Sequence, residues 1–188
     1  EQLPAFRNLT AMQALAFEVL TPEDGVPPAM QARLCRLLAQ AAGADGMAGG
    51  QAIDLASVGR SLSAHELRHM HRLKTGALLQ ASVVMGAACG APGPQAEQAL
   101  AQYGAALGLA FQVVDDVLDV TQDSATLGKT AGKDAASDKP TYVSLMGLAA
   151  AQAHAEELRG QAHAALAASG LSDTRALAAL ADMVVRRS

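Results

Sequence analysis

Apolar and polar positions separate onto two faces of a long segment in the second half of the chain. Apolar side chains recur there every three or four residues, the spacing of one helix face, at Leu107, Phe111, Val114 and Leu118. A second set falls within an arc of roughly 100° on a neighbouring face, and comprises Gln112, Asp115, Asp116, Asp119 and Asp123. The pattern predicts an amphipathic helix that packs through one face and gathers carboxylates on the other.

These carboxylates predict a metal-binding face. Neighbouring carboxylates repel each other unless they are protonated or share a cation, and Mg²⁺ prefers oxygen ligands of this kind. The alternative is a solvated acidic surface. Exposed helix faces usually mix charges of both signs, whereas no Lys or Arg occurs between Gln95 and Gln122. The pattern therefore favours a metal site.

The rest of the chain also divides into helical segments separated by Gly and Pro. We predict seven helices, near residues 11–20, 29–42, 44–55, 63–89, 94–123, 141–168 and 172–187. The helix after Ser63 has the clearest start, because Ser63 and Glu66 form a capping box. Residues 124–139 are predicted to be a loop, and Pro140 the first position of the next helix.

Composition predicts an all-α fold in a single domain, residues 1–188. The chain is 51% hydrophobic but only 3% aromatic, and it is rich in alanine, which suits close-packed helices better than sheets. Three glycines in the third segment, Gly46, Gly49 and Gly50, permit either close helix contact or a mobile loop.

Charge and cysteine content limit the class of partner and compartment. The net charge of −4 argues against a nucleic-acid partner, because phosphate contacts need a basic face. Cys35 and Cys89 are too few for a disulfide framework, so we expect both in the core and the protein in the reducing cytoplasm. No apolar run approaches the ~18 residues of a membrane span.

A zinc-peptidase pattern, HExxH, occurs at residues 65–69 and makes a zinc metallopeptidase a remote alternative. Glu66 already has a capping role, and the metzincin continuation needs Gly and His where the chain has Arg72 and Thr75. A distant third ligand such as Glu97 would have to complete the site.

Several cations lie close to the carboxylate helix along the chain. The predicted loop contains Lys129, Lys133 and Lys139, and ammonium groups beside a metal site suit a polyphosphate substrate. Lys74 and Thr75 add a cation and a hydroxyl in a helical stretch with few other charges. Ordinary surface lysines are the alternative interpretation.

Four segments combine these features: GMAGGQAIDL at 46–55, KTGAL at 74–78, GLAFQVVDDVLD at 108–119 and TLGK at 126–129. In this order they resemble the bacterial farnesyl diphosphate synthases, and the resemblance covers about residues 11–187. It implies an isoprenoid synthase-type helical bundle with the active-site pocket between helices. It also implies a prenyltransferase that joins an allylic diphosphate, dimethylallyl or geranyl, to isopentenyl diphosphate in isoprenoid biosynthesis.

The same resemblance implies the metal site. Asp115 would bind magnesium, with manganese as an alternative ion, and Asp116 and Asp119 would be supporting or water-mediated ligands.

The resemblance further implies the substrate site. Residues that would bind the allylic diphosphate are Lys74, Gln112, Lys129 and Lys139. Residues that would line the pocket are Gln51, Asp54, Thr75 and Phe111. Among all of these, the expected catalytic residues are Lys74, Thr75, Gln112 and Asp115.

One expected part of such an enzyme does not occur in this sequence. The family has two aspartate-rich motifs that face each other, and only the second is found here. The first is expected before Ala11, together with the segment that binds isopentenyl diphosphate, but residues 1–10 are atypical. We therefore expect this chain to be the C-terminal two thirds of a longer synthase. Without the first aspartate-rich motif, we expect the chain to be catalytically inactive.

The resemblance also bears on a rival function, on the product and on the oligomeric state. A non-catalytic homologue or regulatory subunit is a rival to the synthase, although the retained charged cluster argues against it. Farnesyl diphosphate is the expected product and geranylgeranyl diphosphate the alternative, because the residues that gate product length precede the first motif. A homodimer is expected from the family.

Overall fold

The part of the chain described by the computed structural model, residues 2–121 and 140–187 with side chains from residue 11 onward, contains helices and no β-strand. The elements in chain order are α1 (Gln2–Leu20), α2 (Pro28–Ala42), α3 (Met47–Ala56), α4 (Ala64–His71), a π-helical turn (Arg72–Gly76), α5 (Ala77–Gly90), α6 (Pro94–Thr121), α7 (Tyr142–Met146), α8 (Leu148–Ala168) and α9 (Arg175–Arg186). The all-α prediction is confirmed.

Helix α6 is the central element, and α5 and α8 pack along it. Small buried residues let α8 approach closely, at Ala151, Ala155, Ala162 and Ala165. Tyr103 of α6 is fully buried, and its hydroxyl donates a hydrogen bond to the Leu177 carbonyl at 2.7 Å. This bond ties α9 to the central helix and satisfies a polar atom that would be costly to bury alone.

The predicted start of the helix after Ser63 is confirmed. Ser63 Oγ accepts from the Glu66 N–H at 3.3 Å, and Glu66 Oε2 accepts from the Ser63 N–H at 2.8 Å. The Ser63 hydroxyl also donates to Glu66 Oε2 at 2.7 Å, and this bond, with that from the Ser63 N–H, stabilises the carboxylate and lowers the pKa of Glu66. The predicted continuous helix over 63–89 is interrupted, however, by the π-helical turn at Arg72–Gly76.

Three further features of the helix boundaries differ from the prediction. The single helix expected over 141–168 is two helices, α7 and α8, because Gly147 adopts a φ of +83° that breaks the helix between them. Pro140 lies before the N-cap, Thr141, rather than at the first helical position. The last helix begins at Arg175 instead of Ser172.

Four further predictions concern the cysteines, the loop after α6, the number of domains and membrane-spanning helices. Cys89 is exposed, so the prediction that both cysteines lie in the core is wrong for this residue. The loop predicted over 124–139 lies outside the described residues. A single domain over 1–188 stays a prediction. Among the described helices, none combines the length and apolar character needed to cross a bilayer.

Candidate active site

The π-helical turn places Lys74 and Thr75 at the junction of α4 and α5. A π-helical turn widens the helix by one residue and is often found at functional sites. Here it lies in the middle of a segment whose sequence predicts an uninterrupted helix. Lys74 and Thr75 therefore lie on the part of this segment that is most typical of a functional site.

Glycines allow α3 and α6 to touch this turn. A Cβ added at Gly50 would lie 2.2 Å from the Lys74 nitrogen, and one added at Gly108 would lie 2.7 Å from the Gly76 Cα. No real side chain fits at such distances, so both positions depend on glycine. Of the two interpretations of the glycines in the third segment, close contact is the one observed at Gly50.

Lys74 pairs with Asp54 across this contact. The distance from Lys74 Nζ to Asp54 Oδ2 is 2.8 Å, and the Asp54 side chain is 10% exposed. Gly50 and Asp54 are one turn apart on α3, so the glycine contact also brings the carboxylate to the ammonium group. The predicted role of Asp54 in the pocket stays a prediction.

Thr75 links the turn to α6. Its Oγ1 donates a hydrogen bond to Oε1 of Gln112, and Gln112 is buried. Two residues from distant segments of the sequence, both predicted to belong to one pocket, are therefore in direct contact. This contact fixes the side-chain amide of Gln112 with its oxygen towards Thr75.

The three aspartates of α6 differ in their surroundings. Asp115 is partly exposed, whereas Asp116 and Asp119 are 4% and 3% exposed. Asp116 Oδ2 accepts a hydrogen bond from the Tyr142 N–H at 2.7 Å, which anchors the first residue of α7. Asp116 thus supports the fold at this point, a role that the sequence pattern did not predict.

Oxygen donors suitable for a hard cation are present on this face. Within the described ranges, no group of three or more His, Cys, Asp or Glu side chains is placed to hold a metal ion. Mg²⁺ commonly uses one or two carboxylates together with substrate phosphates, which does not require a complete protein cage. The donor set of Asp115 and Asp119 fits that mode of binding.

Phe111 meets the C-terminal end of the described chain. The Arg187 guanidinium lies 4.0 Å from the centre of the Phe111 ring and donates to the Phe111 carbonyl at 2.7 Å. Burial lowers the pKa of Arg187, and the nearby negative charge of Asp115 opposes this shift. Arg187 was missed by the sequence analysis, since an arginine at the end of a helix carries no local signal of such a contact.

Other predicted residues are not brought together by the described structure. Gln51 is partly exposed on α3, beside Gly50. Lys129 and Lys139 lie outside the described residues. A groove of about 370 Å³ between α6 and α8 is lined by Val114, Leu118 and Arg187 rather than by the aspartates, so it lies away from the acidic face.

Three aromatic rings lie next to one another close to Lys74, one pair stacked and the other tilted. The His71 and Tyr142 rings are 5.7 Å apart at 24°, and the Tyr142 and His154 rings are 5.8 Å apart at 40°. Burial, with the positive charge of Lys74, lowers the pKa of His71 to about 4. His71 was also missed, although its spacing from the buried Leu67 places it on the packed face of α4.

The HExxH residues do not form a zinc site in the described structure. Glu66 is occupied by its capping bonds, and His65 is exposed. The suggested third ligand, Glu97, instead pairs with Arg33 at 3.0 Å. The zinc-peptidase alternative therefore has no structural support.

Comparison with known proteins identifies the family. The polyprenyl synthetase family model matches residues 6–176. The chain is 48% identical to a probable farnesyl diphosphate synthase of Sinorhizobium fredii, over 95% of this chain and 53% of the relative. It is 43% identical to the farnesyl diphosphate synthase of Escherichia coli, over 95% of this chain and 61% of the relative.

A solved structure gives the same result for the fold. The geranyltransferase of Helicobacter pylori, complexed with magnesium and isoprenyl diphosphate, superposes with a TM-score of 0.79 at 31% identity, over 94% of this chain and 57% of that one. The chain thus spans between half and about three fifths of the length of these proteins. From the extent of these matches, the chain belongs to the polyprenyl synthetase family.

Proposed function

We propose that the protein acts as a short-chain trans-prenyl diphosphate synthase, which condenses dimethylallyl or geranyl diphosphate with isopentenyl diphosphate to farnesyl diphosphate. The supporting observation is the hydrogen bond from Thr75, the neighbour of Lys74 on the π-helical turn, to Gln112, which lies one turn before Asp115 and Asp116 on α6. A cation for a diphosphate, a hydroxyl and an acidic face converge there. Geranylgeranyl diphosphate is the alternative product.

Magnesium is the proposed cofactor, with manganese as an alternative. Asp115 would be its main ligand and Asp119 a supporting one, with Asp116 contributing through water while it anchors Tyr142. When bound, the ion would stabilise the negative charge that develops on the departing diphosphate.

The protein's own groups would favour ionisation of the allylic substrate. The bond from the allylic carbon to the diphosphate oxygen breaks, its electron pair stays on the diphosphate, and the double bond of isopentenyl diphosphate attacks the resulting cation before a proton is lost. Lys74, with Lys129 and Lys139, would hold the diphosphate. Because Thr75 gives its hydrogen to Gln112, its oxygen offers lone pairs to a developing positive charge.

Three more residues complete the proposed pocket. Asp54 would keep the Lys74 ammonium group directed through their 2.8 Å ion pair. Gln51 and Phe111 would line the region around the allylic group. A cytoplasmic location remains the prediction made from the sparse cysteines.

The proposed assembly is a homodimer through α1. Three apolar side chains on one stripe of this helix are exposed, Met12 at 67%, Leu15 at 55% and Val19 at 68%. With Leu38, Leu78 and Met85 they border an apolar groove of about 420 Å³. A stripe of this kind is unfavourable in water and suits burial against a second copy.

A combined binding and product assay tests the proposal. The chain is incubated with magnesium, geranyl diphosphate and isopentenyl diphosphate, and products are identified by chain length. Magnesium-dependent geranyl diphosphate binding is measured in parallel by calorimetry, with Asp115→Asn as the test variant and the exposed Asp173→Asn as control.

Farnesyl diphosphate as product would support the proposal. Binding that Asp115→Asn abolishes, without any product, would instead support a non-catalytic homologue or a chain that needs the first aspartate motif. Absence of both binding and product would overturn the assignment of this face as a diphosphate site.

A further inference from the structure

A groove between α6 and α8 is lined by two arginines and by apolar side chains. Its volume is about 560 Å³, which is in the range of small-molecule sites. Arg68 of α4 and Arg72 of the π-helical turn contribute the charge, and the apolar lining includes Leu109, Leu158 and Ala165. Of the described residues proposed for the synthase pocket, none lines this groove. The groove is therefore a separate feature of the molecule.

Short side chains leave the groove open. Five of its eleven lining residues are alanines, whose methyl groups do not fill the space between the two helices. Ala106 and Ala165 are buried, whereas Ala105 and Ala164 are exposed. Apolar surface that stays in contact with water is unfavourable, so the groove favours an apolar occupant along most of its length.

The arginines lie at one end of the groove. A Cβ at Gly108 would meet Gly76, and one at Gly104 would meet Gln80, so the segment that follows the arginines runs antiparallel to α6. Arg72 precedes Gly76 and therefore lies beside the part of α6 that follows Gly108. The apolar part of the groove extends from there back towards the start of α6.

Arg68 and Arg72 place two like charges one helical turn apart. The Arg72 N–H bonds to the Arg68 carbonyl, so the two exposed side chains leave α4 on the same face. Within residues 11–121 and 140–187, no Asp or Glu lies within ion-pair distance of either guanidinium group, and Arg72 contacts His69 Nδ1 at 3.2 Å. Like charges at this spacing repel each other, so an anion between them would be stabilising.

These cations are distinct from the cation of the proposed diphosphate site. Arg72 and Lys74 are two residues apart, which is about half a turn round the helix axis. Lys74 faces α3, where it pairs with Asp54 at 2.8 Å. The two arginines therefore serve the opposite side of this segment.

We propose that the groove binds an amphipathic phosphate, a molecule with an apolar chain and a dianionic phosphate head. The head would bridge Arg68 and Arg72, because two guanidinium groups match the charge and the oxygens of a phosphate better than those of a single carboxylate. The chain would lie along residues 102–109 of α6, a length of ~10 Å. The inference does not depend on the proposed prenyl transfer, since none of the residues that carry it belongs to that site.

Decyl phosphate is the probe, because its chain is about as long as the groove. Calorimetry below the micellar concentration measures binding, in EDTA so that a magnesium-dependent diphosphate site does not contribute. We expect a dissociation constant below about 1 mM, and no detectable binding of inorganic phosphate alone. Intermolecular NOEs from the alkyl chain to the Leu109 and Ala105 methyl groups locate the chain in the groove.

Variants test the head and the chain separately. We expect Arg68→Gln and Arg72→Gln each to weaken decyl phosphate binding about tenfold. Arg36→Gln is the matched control, because it makes the same charge change at an exposed position of α2. Ala105→Phe should also weaken binding, since it fills the groove without changing its charge, whereas Ala153→Phe at an exposed position of α8 should have no effect. Circular dichroism confirms that each variant is folded.

Two further ligands define the chemistry of the occupant. Geranyl phosphate compared with decyl phosphate distinguishes an isoprenoid from a straight-chain ligand, and tighter binding of either supports the site. Decanoate replaces the phosphate head with a carboxylate. If decanoate binds as tightly as decyl phosphate, the assignment of a phosphate head is overturned.

The inference is overturned if decyl phosphate does not bind, or if it binds equally well to the two arginine variants and the wild type. NOEs to Met12 and Val19 of α1 instead of Leu109 would also overturn it, because they would show adsorption on another apolar surface. None of these measurements records prenyl transfer. A failure here is therefore distinguishable from a failure of the proposed synthase activity.

Discussion

The Lys74 ammonium nitrogen lies 2.8 Å from Asp54 Oδ2, so a cation on the π-helical turn is held by a carboxylate from α3. The two side chains are 31% and 10% exposed, which reduces screening by water relative to a surface pair. The pair therefore fixes the direction of the Lys74 ammonium group.

Replacing Asp54 with Asn should destabilise the protein, because the partly buried ammonium group loses its charged partner. We expect the free energy of unfolding to fall by about 2 kcal/mol, and the added change Lys74→Met to recover much of that loss. Urea unfolding followed by circular dichroism measures both effects. As control, Glu97→Gln removes the partner of Arg33 in an exposed pair and should cost less than about 1 kcal/mol. Equal losses in the two single variants would contradict this account.

Gly50→Ala should disrupt the contact between α3 and the π-helical turn. The added Cβ would meet Lys74 backbone atoms at 2.2 and 2.6 Å, which cannot move away as a flexible side chain would. We expect a loss of about 3 kcal/mol in the free energy of unfolding. Gly86→Ala on α5 is the control, since nothing lies within 4 Å of its added Cβ and alanine favours a helix by about 0.5–1 kcal/mol. The two alanine substitutions should thus act in opposite directions.

Asp116→Ala and Asp115→Ala should separate structural from ligand-binding roles. Asp116→Ala leaves the buried Tyr142 N–H without its acceptor, so we expect a loss of about 2 kcal/mol in unfolding free energy. Asp115→Ala should cost less stability but abolish magnesium-dependent diphosphate binding. Thermal unfolding and calorimetry measure the two properties on the same samples. A larger stability loss for Asp115→Ala would refute the division of roles.

Stability should fall in mildly acidic solution because of His71. Its pKa is about 4 in the folded protein, against about 6.5 in an unfolded chain. Between these values the unfolded state binds the proton more readily, so the free energy of unfolding falls as the pH is lowered from 6.5 towards 4, by up to about 3 kcal/mol. Carboxylates titrate in the same range, and His71→Phe corrects for them. The stability of the wild type relative to the variant, from urea unfolding at several pH values, should fall as the pH is lowered towards 4; a relative stability that does not change with pH would argue against a buried neutral imidazole.

Val19→Glu should weaken self-association if α1 forms the proposed dimer contact. The substitution places a charge within the exposed apolar stripe. Size-exclusion chromatography with light scattering should show a dimer for the wild type and a monomer for the variant. Gln13→Glu, which adds the same charge beside the stripe, should remain dimeric. A monomeric wild type would remove the basis for the contact.

Local sequence signals predicted the helices well where a cap or a breaker marks the boundary. Ser63 and Glu66 identified the start of α4, because the capping bonds involve residues three apart in the chain. The break at Gly147 was missed, since a glycine between Met146 and Leu148 in a helix-forming stretch does not reveal the positive φ it adopts. The π-helical turn was also missed, because it is packed against Gly50 and Gly108 from other parts of the sequence.

The candidate site shows the same limit. Helical periodicity placed Gln112, Asp115 and Asp116 on one acidic face. It did not indicate which neighbouring residue each carboxylate contacts. The position of α7 decides that Asp116 bonds to Tyr142, and nothing around Asp116 in the sequence indicates it. Likewise, a histidine within an apolar helix face is most simply predicted as a packing residue, and the stacking of the His71 ring on Tyr142 depends on the tertiary arrangement.

The contact between Gly108 and Gly76 has a consequence for how the site responds to salt. Because a Cβ at Gly108 would come within 2.7 Å of the Gly76 Cα, the separation of α6 from the π-helical turn is set by backbone atoms in contact. Ionic strength screens charges but does not alter such a steric limit. Added salt would therefore weaken the attraction of a diphosphate for Lys74. The spacing between Lys74 and the acidic face would stay the same, so salt would change the affinity of the site without changing its dimensions.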